Sequence, residues 1–195
     1  MGFDFGYALE ILPELGRGLV VTLALTVLGM SAALVIGMVW AVLRQAGPRP
    51  VAAAVRGLVD FVRGTPLLIQ IYVLYYGLPE LGIRPSAFLT GVAALSLHYS
   101  TYVSEVYRSG IEAVPSGQWH AARALNLGPW VTWRRVILPQ AIPPTLPALG
   151  NYLVAMFKDT PILAAITVAE MLQRAKVLGA ASFRYFEPLT LVGII

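Results

Sequence analysis

Two residues in this chain have the chemistry of a site, in surroundings that are wrong for a surface. Lys158 and Asp159 close an apolar run, Val136 to Phe157, that carries no charge over 22 residues. Pro139, Pro143, Pro144 and Pro147 crowd its first half, so no regular helix is expected before about Pro144. A helix starting there reaches Lys158 about 21 Å along, at ~1.5 Å per residue, inside a hydrocarbon zone of ~30 Å. Ionisable groups at such depth face protein or water and mark solute paths. Thr160-Pro161 then breaks the helix, with Thr160 the expected N-cap and Pro161 the first helical residue. A carboxylate at that helix start and a cation at Asp159 together select a zwitterion. A structural ion pair at the outer interface fits the same residues, and the sequence leaves both open.

Other chemistry has no residues to carry it. The chain has no cysteine, and its two histidines, His98 and His120, lie far from any thiol, so neither a metal nor another cofactor is expected. Its two lysines, Lys158 and Lys176, do not follow glycine, so no phosphate-binding loop for ATP exists. No G-x-S-x-G nucleophile motif is present. A membrane-embedded enzyme therefore lacks its nucleophile and ligands. A self-sufficient secondary transporter or channel remains as an alternative, with only one deep acid to couple an ion.

The elements that position Lys158 and Asp159 are those of a membrane protein. Hydrophobic residues make up 57% of the chain and charged ones 12%, too apolar for a water-facing surface. The net charge of +4 sits in short segments between apolar runs, which argues against nucleic acid and for membrane loops. Residues 3–15 place Phe5, Ala8, Leu9, Leu12 and Leu15 at helical spacing and predict a short amphipathic helix on the membrane surface. Residues 1–17 are read as this extracytoplasmic segment and 18–195 as one transmembrane domain. Gly18–Leu43 is uncharged and long enough to span; Gly29, Ala33, Gly37 and Ala41 form a ribbon of small residues suited to close helix packing. Further spans are expected at about 58–79, 86–107 and 140–158, and a fifth at 186–195 that is cut short at Ile195. Tyr72, Tyr75 and Tyr76 fall near the far end of the second, where an aromatic belt belongs. The third carries His98, Tyr99, Ser100, Thr101, Tyr102 and Ser104, so one side must face a bundle interior, and Glu105 can pair with Arg108 three residues on.

Between the third and fourth spans lies a basic island, VPSGQWHAARALNLGPWVTWRRVILPQ, from Val114 to Gln140. A turn at Pro115-Ser116-Gly117 leads into a short helix, which Gly128-Pro129 is expected to stop. A second helix from Pro129 stripes Trp130, Trp133, Val136 and Ile137 along one face, leaving Arg134 and Arg135 on the other. Two small helices around a corner, at about 110–137, read as a docking loop. The segments after the first and third spans hold eight Lys and Arg residues against five on the opposite side, which puts this loop in the cytoplasm and the N-terminus outside.

Several motifs now fall in order. Arg63-Gly64-Thr65-Pro66-Leu67-Leu68 precedes the second span, and Glu105-Val106-Tyr107-Arg108-Ser109-Gly110-Ile111 leads to Val114-Pro115-Ser116-Gly117-Gln118. His120-Ala121-Ala122-Arg123-Ala124-Leu125 is followed by Ile137-Leu138-Pro139-Gln140-Ala141, and Lys158-Asp159-Thr160 comes last. In these stretches the chain resembles the membrane-spanning subunits of ATP-binding-cassette importers for polar amino acids, of the histidine, glutamine and arginine type. The likeness covers about Pro13 to the end.

That resemblance implies an all-α, five-span type I importer fold in a bacterial inner membrane. It implies a coupling helix over Gly117, Gln118, Trp119, His120, Ala121, Ala122, Arg123, Leu125 and Asn126, seated in a cleft of a separate ATPase subunit. It further implies a second permease, homologous or identical, around one path and an extracytoplasmic solute-binding protein. Lys158, Asp159, Thr160 and Tyr102 become candidates for the path. Arg63, Gly64, Thr65, Pro66, Glu105, Arg108, Leu138 and Pro139 become structural positions. His120 stands where the family has Glu, so no ATPase salt bridge is available there, and the docking face is expected from Trp119, Ala121 and Ala122. Asn126 stands where Gly is usual, and Pro161 where Ser is usual. Leu9-Glu10-Ile11-Leu12-Pro13-Glu14-Leu15 is similar to the ectoine and hydroxyectoine branch, whose substrate is a small cyclic zwitterion.

Overall fold

A computed structural model describes residues 2–195, and every regular element among them is helical. The helices are α1 (Phe5–Ala46), α2 (Arg49–Gly64), α3 (Leu67–Glu80), α4 (Ala87–Glu112) and α5 (Ser116–Ala124). They continue as α6 (residues 129–141), α7 (Leu146–Asp159), α8 (Met171–Ser182) and α9 (Phe186–Ile194), with 3₁₀ turns at Pro143–Thr145 and Thr160–Ile166. Among the described residues one helix, Phe5–Gln45, is by length and composition able to cross a membrane alone. Arg49–Gly64 with Leu67–Glu80, and Pro129–Ile166 with Met171–Ser182, meet that standard only as pairs joined across a break.

Several boundaries differ from the sequence reading. The expected surface helix and first span are one helix of 42 residues that runs through Pro13 and Arg17. Its N-terminal part turns Ala8, Ile11 and Leu15 inward and leaves Phe5 and Leu9 exposed, so the apolar stripe is rotated from the one expected. The second span does not run straight from residue 58 to 79. Thr65 and Pro66 are both extended, with ψ of 132° and 136°, and separate α2 from α3. Pro139 does not keep the chain from forming a helix, whereas α3 ends one residue beyond Pro79, close to the expected end of that span. In each case the preceding turn widens into a π-turn, Val73–Gly77 before Leu78-Pro79 and Trp133–Ile137 before Leu138-Pro139. A proline ring clashes with the carbonyl four residues back, and a wider turn relieves the clash without ending the helix.

The chain divides into two packed units. The first comprises the chain to Met30, Pro66–Leu95 and Ala155–Ile195. There α1 meets α8 closely: a Cβ on Gly18 would fall 2.6 Å from Met171 Cα. Ile11, Leu15 and Ala175 form a core that Tyr7, Leu178, Leu191 and Val192 cover. The second unit comprises Ser31–Thr65 and Ser96–Val154. There the small-residue ribbon does what was expected of it. Ala33 and Ala41 are buried, and a Cβ on Gly37 would lie 2.7 Å from Val103 Cγ1 and 2.8 Å from the Ser100 carbonyl. The polar half of α4 is turned inward too, with Tyr99, Ser100, Thr101 and Ser104 buried.

Candidate functional site

The first helix of the basic island is α5, nine residues long, and α6 is its second. Pro115 precedes it with φ −54° and ψ 135°, and the helix runs to Ala124. It ends earlier than Gly128. Asn126 takes the left-handed conformation at φ 50°, its N–H donates to the Arg123 carbonyl, and Leu127 N–H donates to the Ala122 carbonyl. This is the paired bonding of a Schellman ending, with Asn where Gly is commonest. Asn is among the few residues that accept this backbone, so the departure at Asn126 leaves the turn intact. Gly128, at φ −62°, needs no glycine freedom.

The two sides of α5 are unlike. Ala122 is buried, and Trp119 turns inward to meet Trp133 edge to face at 5.4 Å between centroids. Behind them lies a core of Ile111 and Val114 at the end of α4 and of Ile137 and Ala141 from α6. The docking face expected at Trp119, Ala121 and Ala122 is therefore split: Trp119 and Ala122 attach α5 to the protein. Gly117, Gln118, His120, Ala121, Arg123 and Ala124 are exposed, and Leu125 is 72% exposed. Gln140 Nε2 donates to Gln118 Oε1 at 3.3 Å and to the Val136 carbonyl at 2.6 Å. Trp130, expected in the packed stripe, is exposed instead, because the π-turn shifts the register between it and Ile137. A groove of about 480 Å³ runs beside α5, bounded by Trp119, His120, Arg123, Leu127, Pro129 and Trp133.

Above this loop the motif residues converge on one carboxylate. Glu105 pairs with Arg44, with Arg108 at 2.9 Å and with Arg63 at 3.7 Å. Arg108 also reaches Glu112 at 2.6 Å, and the Arg63 guanidinium lies 5.2 Å over the Tyr102 ring. The pairing of Glu105 with Arg108 is as the spacing predicts. Arg44 and Arg63 reach Glu105 from distant parts of the sequence, and spacing reveals neither. Thr65 Oγ1 donates to the Phe61 carbonyl and Pro66 opens α3, so Gly64-Thr65-Pro66 ends one helix and starts the next. Leu138 and Pro139 sit just beyond the π-turn of α6. Tyr102 packs on His98 and on Tyr152 at 5.2 and 5.5 Å.

Lys158 and Asp159 end α7, and both are exposed in the single chain, whereas Thr160 is buried. The expected helix start at Pro161 is absent. Thr160 Oγ1 donates back to the Phe157 carbonyl at 2.9 Å and caps nothing, and residues 160–166 continue as a 3₁₀ turn. The next α-helix begins later, at Met171. Glu170 caps α8, accepting from the Leu172 N–H at 2.9 Å and the Gln173 N–H at 2.5 Å, and the Met171 N–H donates to Thr22 Oγ1 at 3.2 Å. Glu170 is fully buried. The sequence offered no cue to this cap, because Glu is not among the residues favoured there.

The family model for the binding-protein-dependent transport system inner membrane component matches residues 33–195. The chain belongs to this family. It is 52% identical to the probable amino-acid ABC transporter permease protein y4tG of Sinorhizobium fredii, covering 97% of this chain and 82% of that one. It is 35% identical to the arginine transport system permease protein ArtQ of Bacillus subtilis, over 100% of this chain and 90% of that one. A crystal structure of an amino acid ABC transporter with histidines superposes with a TM-score of 0.90 at 36% identity, covering 100% and 91% of the two chains. The MetNI methionine transporter, at 20% identity and a TM-score of 0.79, shares the fold over 95% of this chain and 90% of that one. The chain is thus a permease subunit of an ABC importer with the type I transmembrane fold, an inner-membrane component and not itself a catalyst.

Proposed function

We propose that this permease forms the translocation path of an ATP-driven importer for a polar amino acid or a similar small zwitterion such as ectoine. Relatives named for arginine, glutamine and L-cystine transport favour a polar amino acid. ATP is hydrolysed in separate ATPase subunits, whose cleft receives α5 as the coupling helix. A second permease, homologous or identical, completes the path, and an extracytoplasmic solute-binding protein delivers the substrate. The N-terminus lies outside and α5 in the cytoplasm, with residues 18–195 as the transmembrane domain. Lys158, Asp159, Thr160 and Tyr102 line the path.

The observation that carries this reading is the two-sided build of α5. One side is locked through Trp119 and Ala122 to the ends of α4 and α6; the other presents small residues and a bare Leu125. A push on the outer side is transmitted through the Trp119–Trp133 contact to both helices, because a packed core moves rather than compresses. His120 offers no carboxylate for an ion pair there, so shape and apolar contact carry the docking.

Affinity purification of the detergent-solubilised complex tests this directly. Ala121→Arg and Leu125→Glu are expected to lose the ATPase subunit, while Asp60→Asn, on α2, keeps it. Retention of the ATPase by both α5 variants at the parental ratio would sink the proposal.

A further inference from the structure

Helix α2 has three faces, and only one of them packs on the protein. Val55, Val59 and Val62 are buried. Val51, Ala54, Leu58 and Phe61, spaced at three and four residues, are exposed, Phe61 at 71%. Arg49, Arg56 and Asp60 line a third edge, around a shallow groove of about 510 Å³. At 3.6 residues per turn this charged edge lies roughly half a turn from the exposed apolar edge. Arg63 shares the charged edge but is engaged with Glu105 and Tyr102. Among the described residues Arg49 and Arg56 make no ion pair, and Asp60 does not reach either within pairing distance.

A helix with an apolar edge and a cationic edge on opposite sides, docked sideways on a membrane protein, has one orientation that satisfies all three faces. It lies along the interface, with Val51, Leu58 and Phe61 in the acyl region and the arginines among the headgroups. We infer that α2 is an interfacial helix whose Arg49 and Arg56 bind the headgroups of anionic phospholipid. The unpaired cations select the anionic headgroup over a zwitterionic one, and Asp60 between them limits that preference. A bilayer supplies apolar depth beside one edge and phosphate beside the other, which matches the apolar side chains and the two arginines together.

The purified permease complex is reconstituted in discs of equal phosphatidylglycerol and phosphatidylcholine, and the lipid that stays with it on extraction is quantified. A disc presents the same headgroups on both faces, so the outcome is independent of which side of the membrane α2 occupies. Wild type is expected to retain phosphatidylglycerol preferentially. Arg49→Gln with Arg56→Gln lowers that preference by about fivefold per arginine removed. Arg49→Lys with Arg56→Lys keeps most of it. Asp60→Asn raises it, a gain that misfolding cannot produce. The inference is overturned if the glutamine variant keeps the wild-type lipid ratio, or if Asp60→Asn lowers the ratio instead of raising it.

Discussion

Glu105 and Glu170 are both carboxylates drawn back from solvent, and they are held by different means. Glu105, in the second unit, is surrounded by the guanidinium groups of Arg44, Arg63 and Arg108. Glu170, in the first unit, takes its hydrogen bonds from backbone N–H groups at the start of α8. The first arrangement needs a charge, because three cations gathered without an anion repel one another. The second needs an acceptor oxygen pointed at a helix start, and charge adds only the smaller interaction with the helix dipole. One residue type serves as the hub of an ion network in one place and as a piece of backbone hydrogen bonding in the other.

The most forceful way to break the comparison is to remove Glu105. Glu105→Ala should destabilise the solubilised protein by about 3 kcal/mol, the low end for a broken buried pair because Glu105 keeps some contact with solvent. Glu105→Gln should be nearly as damaging. Arg44 raises the sensitivity, since its Nε is buried and already lacks a hydrogen-bond partner among the described residues. Thermal unfolding in detergent reads both variants; an unchanged midpoint for Glu105→Gln contradicts the charge argument. Gly37→Leu probes the packing beneath this network. A side chain there meets Val103 and the Ser100 carbonyl, and about 2 kcal/mol of overpacking is expected in the same assay.

Glu170 sharpens the contrast. Glu170→Ala should cost about 1 kcal/mol as a lost N-cap, whereas Glu170→Gln, which keeps an acceptor oxygen, should retain most of the stability. Equal damage from Ala and Gln at residue 170 would erase the distinction between the two glutamates. Asn126 offers a backbone counterpart at the end of α5. Asn126→Gly should be within a few tenths of a kcal/mol of neutral and Asn126→Val should cost about 1 kcal/mol, because a β-branched residue resists φ 50°.

The smallest effect is at the N-terminus. Asp4 accepts from the Tyr7 N–H and pairs with Arg184 at 3.1 Å, and these two contacts, the backbone bond first, hold its carboxyl below the ordinary value of 3.8. A lowered folded value means the tether contributes fully above pH 3.8 and is lost as the pH falls through the lowered value. The protection of the Tyr7 amide, the slowing of its exchange relative to an unstructured amide at the same pH, should therefore fall only in that acid window; a fall that begins near neutral pH contradicts the assignment.

These contrasts also explain what the sequence could and could not disclose. The Glu105–Arg108 pair is three residues apart on one helix, and the inward polar side of α4 follows from the cost of placing Ser100, Thr101 and Ser104 in lipid, so both were legible. So was the small-residue ribbon on α1. Arg44 joins the cluster across 61 residues, and nothing in its neighbours tells it from other basic loop residues. The cap at Glu170 depends on a left-handed turn at Thr167 and on the close approach of α8 to Gly18 and Thr22, contacts that local propensity does not encode. The prolines from 139 onward predict no regular helix before about Pro144, yet a π-turn ahead of Leu138-Pro139 carries α6 through to Ala141. The face of α5 depends on a contact between separate segments: the resemblance puts Trp119 and Ala122 on the docking face, whereas Trp119 meets Trp133 and Ala122 is buried.

The central claim is that this permease moves substrate only when an ATPase acts on it through α5. Substrate uptake into proteoliposomes tests that claim most directly, comparing the complete transporter, the Leu125→Glu transporter and the permease chain alone, each with and without ATP. The account predicts ATP-dependent uptake by the complete transporter, loss of that uptake in Leu125→Glu with its fold intact, and no flux through the permease by itself. Substrate-dependent flux by the permease alone, or undiminished uptake by the Leu125→Glu transporter, would contradict it.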